Sequence, residues 1–418
     1  MQPQSGGEVD AQRVRSFQRI DSIDLLRGIV MVIMMLDHTR DFVHNATFQF
    51  AAEDLERTNV ALFFTRWITH FCAPTFVFLA GTSAFLQKTR GKSKRELSRF
   101  LLTRGLWLIV LEFTAVRLGV TFNFDYRFFG VMQVIWVIGL SMIVLAGLIY
   151  LPNIVVGLFG VFMIALHNLL DVFRVDGWRG PDSPVPSLRM KLWMILHQQF
   201  EPFPILWFFP SPVVVVIYPL IPWVGVMAAG YSFGAIYKLT AQRRRLLLVL
   251  IGLGAFILFI VIRAINIYGD PSPWSPQKDL LFTVMSFINT TKYPPSLVFL
   301  LMTLGPALLA LAAFETTPEA QRGRIGKLFI TFGRVPLFFY LLQWPTAHLI
   351  AVLLHFTFGK PVRWLFQTQG PGAPLRGVGF NLLVVYLAWI AGIAILYPLC
   401  KWFAGVKARR RDWWLSYL

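Results

Sequence analysis

Residues 25–45 read LLRGIVMVIMMLDHTRDFVHN. Arg27 and Gly28 stand near the start, eight apolar residues follow, and then Asp37, His38, Arg40 and Asp41 arrive almost together. On a helix of 1.5 Å rise that begins near residue 22, His38 lies about 22 Å from the start, in the outer part of a bilayer core or just below its interface. Charge is expensive in hydrocarbon, so ionisable groups placed there face a protein interior or a wet cavity. The segment therefore reads as a membrane helix that carries a polar site near one end.

The rest of the chain extends that reading. Of 418 residues, 56% are hydrophobic and 14% charged, and mean hydropathy is +0.60, which excludes a water-soluble globule. Apolar runs of roughly twenty residues recur throughout. The first 20 residues are polar and basic, without the apolar core of a cleavable signal peptide, so the first membrane helix is expected to act as an uncleaved insertion signal. The net charge of +18 reads as positive-inside bias and attraction to anionic lipid rather than as a nucleic-acid surface. Cys72 and Cys400 fall at opposite ends of the membrane and predict neither a disulfide nor a metal motif.

The fold expected is an all-α, polytopic membrane helix bundle of about ten spans: 22–43, 62–87, 99–120, 130–150, 153–172, 213–237, 245–267, 293–315, 326–354 and 377–404. Arg13, Arg15 and Arg19, the runs 88–99 (KTRGKSKRELSR) and 238–245 (KLTAQRRR), residues 322–327 and the tail 407–411 (KARRR) then share one side. By the positive-inside rule that side is the cytoplasm, and both termini lie there. The division is a basic segment 1–20, a membrane domain 21–405 with outer loops 173–212 and 268–292, and a basic tail 406–418. All seven histidines (His38, His44, His70, His167, His197, His348 and His355) fall in the outer half or in outer loops. Imidazole exchanges protons near neutral pH, so this placement suggests proton transfer on the outer face. Trp178, Trp193, Trp207 and Trp274 mark the outer loops as interfacial anchors or as cover for a site entrance.

In the second span (63–85, FFTRWITHFCAPTFVFLAGTSAF) Arg66 and His70 are four apart and share a helix face. Pro74 lacks an N–H and loosens the turn beside His70, while Gly81 and Ser83 allow close packing. Asp37 and His38 point about 100° apart, so Asp37 is expected to orient His70 or pair with an arginine rather than to bond His38. Glu112, Arg117, Gln133, Asn168, Gln343 and His348 complete the intramembrane polar set. For Glu112, Gln133 and Asn168 an interhelical packing bond is a more common reading than a catalytic role.

The blocks SIDLLRGIVMVIMMLDHTRDF (22–42) and WITHFCAPTFVFLAGTSAFL (67–86), with 218–234, 290–309 and 332–349, resemble the bacterial branch of the heparan-α-glucosaminide N-acetyltransferase catalytic-domain family. The resemblance implies transfer of an acetyl group from cytoplasmic acetyl-CoA to an amino sugar across the membrane, with a far-side histidine in the central role. Related acyltransferases carry an Arg-Gly near the start of the first helix and a histidine near its end, which matches Arg27, Gly28 and His38. The chain departs from the pattern at Gln343, where bacterial relatives often carry histidine, and at His44, which does not reach the spacing of the lysosomal enzyme's histidine.

Such chemistry needs a base for the acceptor and donors for the oxyanion. The catalytic candidates are His38, His70, Asp37, Arg40, Arg66 and His348, the histidine acting as base or as acyl carrier. The substrate-binding candidates are Arg27, Gln343, Lys292 and Tyr293. Basic segments at 88–104 and 243–245 would attract the phosphates of CoA. Expected partners are the lipid bilayer, acyl-CoA, a sugar or glycan acceptor and a second copy of the chain, in a bacterial inner membrane. Neither GxSxG nor HExxH occurs, and no metal, redox cofactor or nucleic acid is expected. A secondary transporter or channel for a small polar solute is the alternative. Its ionisable groups would sit near the midplane, often in repeated halves. A lipid-facing assembly protein would explain the spans but not His38 and His70.

Overall fold

The computed structural model describes residues 20–47, 49–180, 182–205, 212–316, 322–367, 377–410 and 412–418. The N-terminal arginines at 13, 15 and 19, and Trp207, lie outside them. The first half of the fold runs α1 (Asp21–Val43), α2 (Val60–Trp67), a 3₁₀ turn (Ile68–Phe71), α3 (Cys72–Thr89), α4 (Lys94–Leu111), a π turn (Glu112–Val116) and α5 (Arg117–Thr121). It continues with β1 (Phe128–Met132), α6 (Val134–Leu148), α7 (Asn153–Leu166), a 3₁₀ turn (His167–Leu170), α8 (Leu188–Leu196), β2 (Pro202–Pro204) and β3 (Val213–Val216). The second half adds α9 (Leu220–Phe233), α10 (Ala241–Ile265), α11 (Leu280–Ile288), α12 (Leu297–Phe314), α13 (Arg324–Arg334), α14 (Pro336–Thr357) and α15 (Leu382–Arg409).

Among the described residues, seven helical stretches are long and apolar enough to cross a membrane: Val60–Thr89, Asn153–Leu170, Leu220–Lys238, Ala241–Ile265, Leu297–Phe314, Pro336–Thr357 and Leu382–Arg409. Several turn large apolar side chains outward, among them Leu158 and Phe162 on α7, Leu250 and Ile257 on α10, and Leu387 and Ile390 on α15. Faces this apolar need a hydrocarbon solvent. The protein is a multi-pass membrane protein.

Some expected spans are shorter or divided, for local reasons. The valine run 213–216 reads as the start of a membrane helix, yet it forms β3, parallel to β1 and antiparallel to β2. β-Branched residues in a short run suit either state, and here a strand partner decides. The expected span 326–354 breaks at Val335, because Pro336 opens α14 and disfavours helical geometry in the residue before it. The span expected at 293–315 begins as a helix only at Leu297, and that expected at 130–150 only at Val134.

α1 is the axis of the bundle, buried along most of its length against α3, α12, α13, α14 and α15. Its contact with α13 requires glycine: a Cβ on Gly28 would stand 1.8 Å from the Phe329 carbonyl oxygen. Gly81 on α3 plays the same part against α9, where a Cβ would stand 2.1 Å from the Met227 carbonyl oxygen. Close backbone approach through small residues is how membrane helices gain packing energy where burial from water contributes little.

Candidate functional site

Two cavities are strung along α1. The larger, about 480 Å³, lies at the Arg27 end, and Arg27, Arg90, Arg104, Arg334 and Lys407 line it. The smaller, about 150 Å³, lies at the His38 end and is lined by Asp37, His38, Arg40, Arg66, Lys292 and Tyr293 among others. Arg27 and His38 are eleven residues apart, about 16 Å along the helix. Met34 and Val134 line both cavities, so they form the partition between them.

The smaller cavity is walled by a charge network that draws on three segments. α1 supplies Asp37, Arg40 and Asp41, the second membrane helix supplies Arg66, and the preceding loop supplies Glu53. Asp37 pairs with Arg66 and, at 3.0 Å, with Arg40, while Arg40 also holds Asp41 at 2.7 Å. Arg66 reaches Glu53 at 2.7 Å, and Glu53 lies 3.4 Å from Nε2 of His70. The carboxylate of Glu53 sits well below its ordinary value of 4.5: burial alone would raise it, but Arg66 and the bond to His70 more than offset that. Asn289 donates to the Glu53 backbone carbonyl at 2.9 Å and anchors the loop.

His38 enters the cavity with its ring against the indole of Trp344, 3.7 Å between centroids. The carboxylate nearest its Nδ1 is Asp41, at 3.8 Å, one helical turn on. Asp37 is held by arginines, as the 100° offset from His38 implies. Opposite, Lys292 is buried, and the Tyr293 hydroxyl lies 3.5 Å from that of Tyr218. Tyr218 and Ile217 follow β3 directly, so the small sheet delivers them to the cavity wall.

The structure brings together His38, Asp37, Arg40, Arg66, Lys292 and Tyr293. His70 is fully buried in the 3₁₀ turn beneath them, where it packs on Phe299 and touches the network only through Glu53. His348 stands apart from the cavity lining, stacked between Phe42 and Phe122 at 4.8 and 3.9 Å, with Nδ1 3.3 Å from the Gly119 carbonyl. Arg27 belongs to the larger cavity, where it bonds Ser83 and, at 3.1 Å, the Leu79 carbonyl. Gln343 is wholly buried and donates to the Met34 sulfur at 3.2 Å. His44 closes a turn by accepting the Ala46 N–H, and burial together with Arg40 pushes its pKa down to about 4. Of the basic runs, 88–104 contributes Arg90 and Arg104 to the larger cavity, whereas Arg244 is committed to Glu315 at 2.8 Å.

A family model described as heparan-alpha-glucosaminide N-acetyltransferase, catalytic, matches residues 19–268, more than half of the chain. The chain belongs to this family. The matched region of this N-acetyltransferase family contains α1, α2 and the 3₁₀ turn that follows it, hence Arg27, Asp37, His38, Arg40, Arg66 and His70. Lys292, Tyr293, Gln343 and His348 lie beyond it. No curated protein matches the chain.

Glu53, Trp344 and Tyr218 are the site residues that the sequence leaves unmarked. Glu53 is one acid among several in a polar loop, and only the fold turns it toward Arg66. Asp41 carries a usable signal, since a position three residues after a helical histidine shares its face.

Proposed function

We propose that the protein is a membrane-bound acyltransferase that moves an acetyl or other short acyl group from cytoplasmic acyl-CoA to an extracytoplasmic acceptor, an amine or hydroxyl of a sugar or glycan. The observation that carries this reading is the pair of cavities along α1 that meet at Met34 and Val134. The larger cavity, with its arginines, suits a phosphate-rich nucleotide. The smaller offers an imidazole and several cationic donors within one polar enclosure. With ten spans and both termini cytoplasmic, the larger cavity faces the cytoplasm and His38 faces outward.

In this account the thioester arm passes Met34 and presents its carbonyl beside His38. His38 takes the proton of the acceptor as the acceptor nitrogen or oxygen attacks that carbonyl. A C–N or C–O bond forms, and the electron pair moves to the carbonyl oxygen. Arg40 and Lys292 are the cationic side chains placed to stabilise the resulting oxyanion. Collapse breaks the C–S bond, and the departing CoA thiolate recovers the proton from His38. Asp41, 3.8 Å from Nδ1 of His38, helps to orient the ring. Asp37, Arg66, Glu53 and His70 act as positioning residues that hold α1 against the second membrane helix.

The test is CoA release from acetyl-CoA by the detergent-purified protein, with and without amino sugars as acceptors. Acceptor-dependent release supports the reading. Absence of both release and acetyl-CoA binding would overturn it and direct attention to solute flux.

A further inference from the structure

The outer end of α7 carries a second cluster that the acyl-transfer reading does not use. His167 opens the 3₁₀ turn after α7, Asp171 follows four residues later, and His197 caps α8 after a long loop. One donor atom from each of the three lies within 4.8 Å of the others. His197 Nε2 is 3.0 Å from Asp171 Oδ1, and the two imidazoles meet edge to face at 5.7 Å. Both histidines are 3% exposed. Neither ring nitrogen of His167 forms a hydrogen bond among the described residues, nor does Nδ1 of His197.

Those nitrogens call for an explanation. A neutral imidazole has one donor and one lone pair, and a buried polar atom without a partner is destabilising. The Pro295 backbone lies beside His167, yet neither ring nitrogen finds a hydrogen-bond partner among the described residues. The carboxylate of Asp171 is already oriented: the Asn168 side-chain Nδ2 donates to Oδ2 at 2.8 Å, and the Asn168 side-chain Oδ1 accepts the Leu297 N–H at 2.9 Å. A carboxylate whose Oδ2 is held by an amide while its Oδ1 faces an imidazole nitrogen, with a second imidazole edge-on beside it, has the outer-shell support seen in metal sites.

We propose that His167, Asp171 and His197 bind a divalent transition metal ion of the zinc class. Two imidazoles and a carboxylate suit that class, and the set leaves a coordination position for water. Tetrahedral zinc needs donors about 3.3 Å apart, so side-chain rotations on the order of 1 Å close the site. The sequence conceals it because the third ligand is 26 residues from the second and no short metal motif results.

Its position suggests the purpose. His197 lies three residues before Phe200, whose N–H donates to Val216 at 2.7 Å and whose ring packs on Tyr293 at 5.6 Å. The metal would fasten the loop that begins after α7 to the bundle, and with it the sheet that delivers Ile217 and Tyr218 to the smaller cavity. It would be a positioning ion, separate from the acyl-transfer residues.

The experiment uses the full chain in detergent, free of any polyhistidine tag, stripped with a chelator and re-equilibrated with Zn²⁺. Bound zinc is measured by mass spectrometry of the elements and stability by thermal unfolding. The expected result is about one zinc per chain with a raised Tm, lost in His167→Gln with His197→Gln and weakened at least about 10-fold in Asp171→Asn. No zinc uptake and no thermal shift, or unchanged zinc content in the double variant, would overturn the proposal. Should the variants not fold, Co²⁺ loaded into the unmodified chain gives the same decision. Intense visible bands of a four- or five-coordinate ion support the site, and a weak octahedral spectrum overturns it. Zinc content is read independently of CoA release, so failure of one account leaves the other standing.

Discussion

Gln343 donates its amide to the sulfur of Met34 at 3.2 Å, bringing α14 against α1 at the partition between the two cavities. Thioether side chains are unbranched and adapt to neighbours. Here that adaptability lies at the one level of α1 that both cavities share. A passage between them must open at Met34 and Val134.

Met34→Trp therefore should leave donor binding in the larger cavity intact while blocking passage of the thioester. Acetyl transfer is expected to fall about 10²-fold, because misplacing the reacting carbonyl forfeits most of the benefit of orientation. Parallel measurements of CoA binding and acetyl transfer check this. Equal loss of both would place the donor elsewhere.

Glu53 links Arg66 to His70, so Glu53→Gln should destabilise the protein by about 1–3 kcal/mol, because Arg66 and His70 are left facing a neutral amide in place of a carboxylate. The pH dependence follows from the depressed carboxylate. Its folded pKa lies below the ordinary 4.5, so its stabilising contribution is complete above that value and is lost as pH falls through the folded pKa. Thermal unfolding followed downward from about pH 5, through the free value and below it, should show a steeper acid-side loss in the wild type than in Glu53→Gln. Identical profiles would mean that the network does not act through Glu53.

At Gly28 the carbonyl of Phe329 leaves no room for a side chain, whereas a Cβ on Gly254 would meet nothing within 4 Å. Gly28→Ala is expected to lower thermal stability by the 1–3 kcal/mol typical of overpacking, or to prevent assembly. Gly254→Ala should be close to neutral, and the pair is compared by thermal unfolding in detergent. The Arg-Gly pairing near the start of the first helix thus has two separable physical meanings. Arg27 faces the larger cavity, and Gly28 permits the α1–α13 crossing.

His348 is stacked between two phenylalanines outside the smaller cavity. His348→Gln should keep acetyl transfer within about fivefold of wild type, far from the 10²–10⁴-fold expected on removing a general base. A loss as large as that of His38→Ala would return His348 to the chemistry.

Much of this arrangement is legible in the residues themselves. The apolar run ending in Asp37, His38 and Arg40 marks a buried helix with a polar end, and the four-residue spacing of Arg66 and His70 marks the facing element. Pro74 foretells a loosened turn at His70, and the structure has a 3₁₀ turn there. What is not legible depends on long-range contact. Tyr218 and Trp344 reach the cavity, and Glu53 reaches Arg66 behind it, only because a short strand, a distant helix and a loop converge. The valine run at 213–216 could not reveal that it pairs as a strand, since apolarity alone serves strand and membrane helix alike. The break at Val335 was signalled by Pro336 but masked by apolar residues on both sides.

The most direct measurement is acetyl-CoA binding and single-turnover acetyl transfer by purified wild type and His38→Ala side by side. The account predicts that His38→Ala binds acetyl-CoA as the wild type does and loses transfer by at least about 10²-fold. Transfer at the wild-type rate by His38→Ala, or no acetyl-CoA binding by either protein, would contradict it.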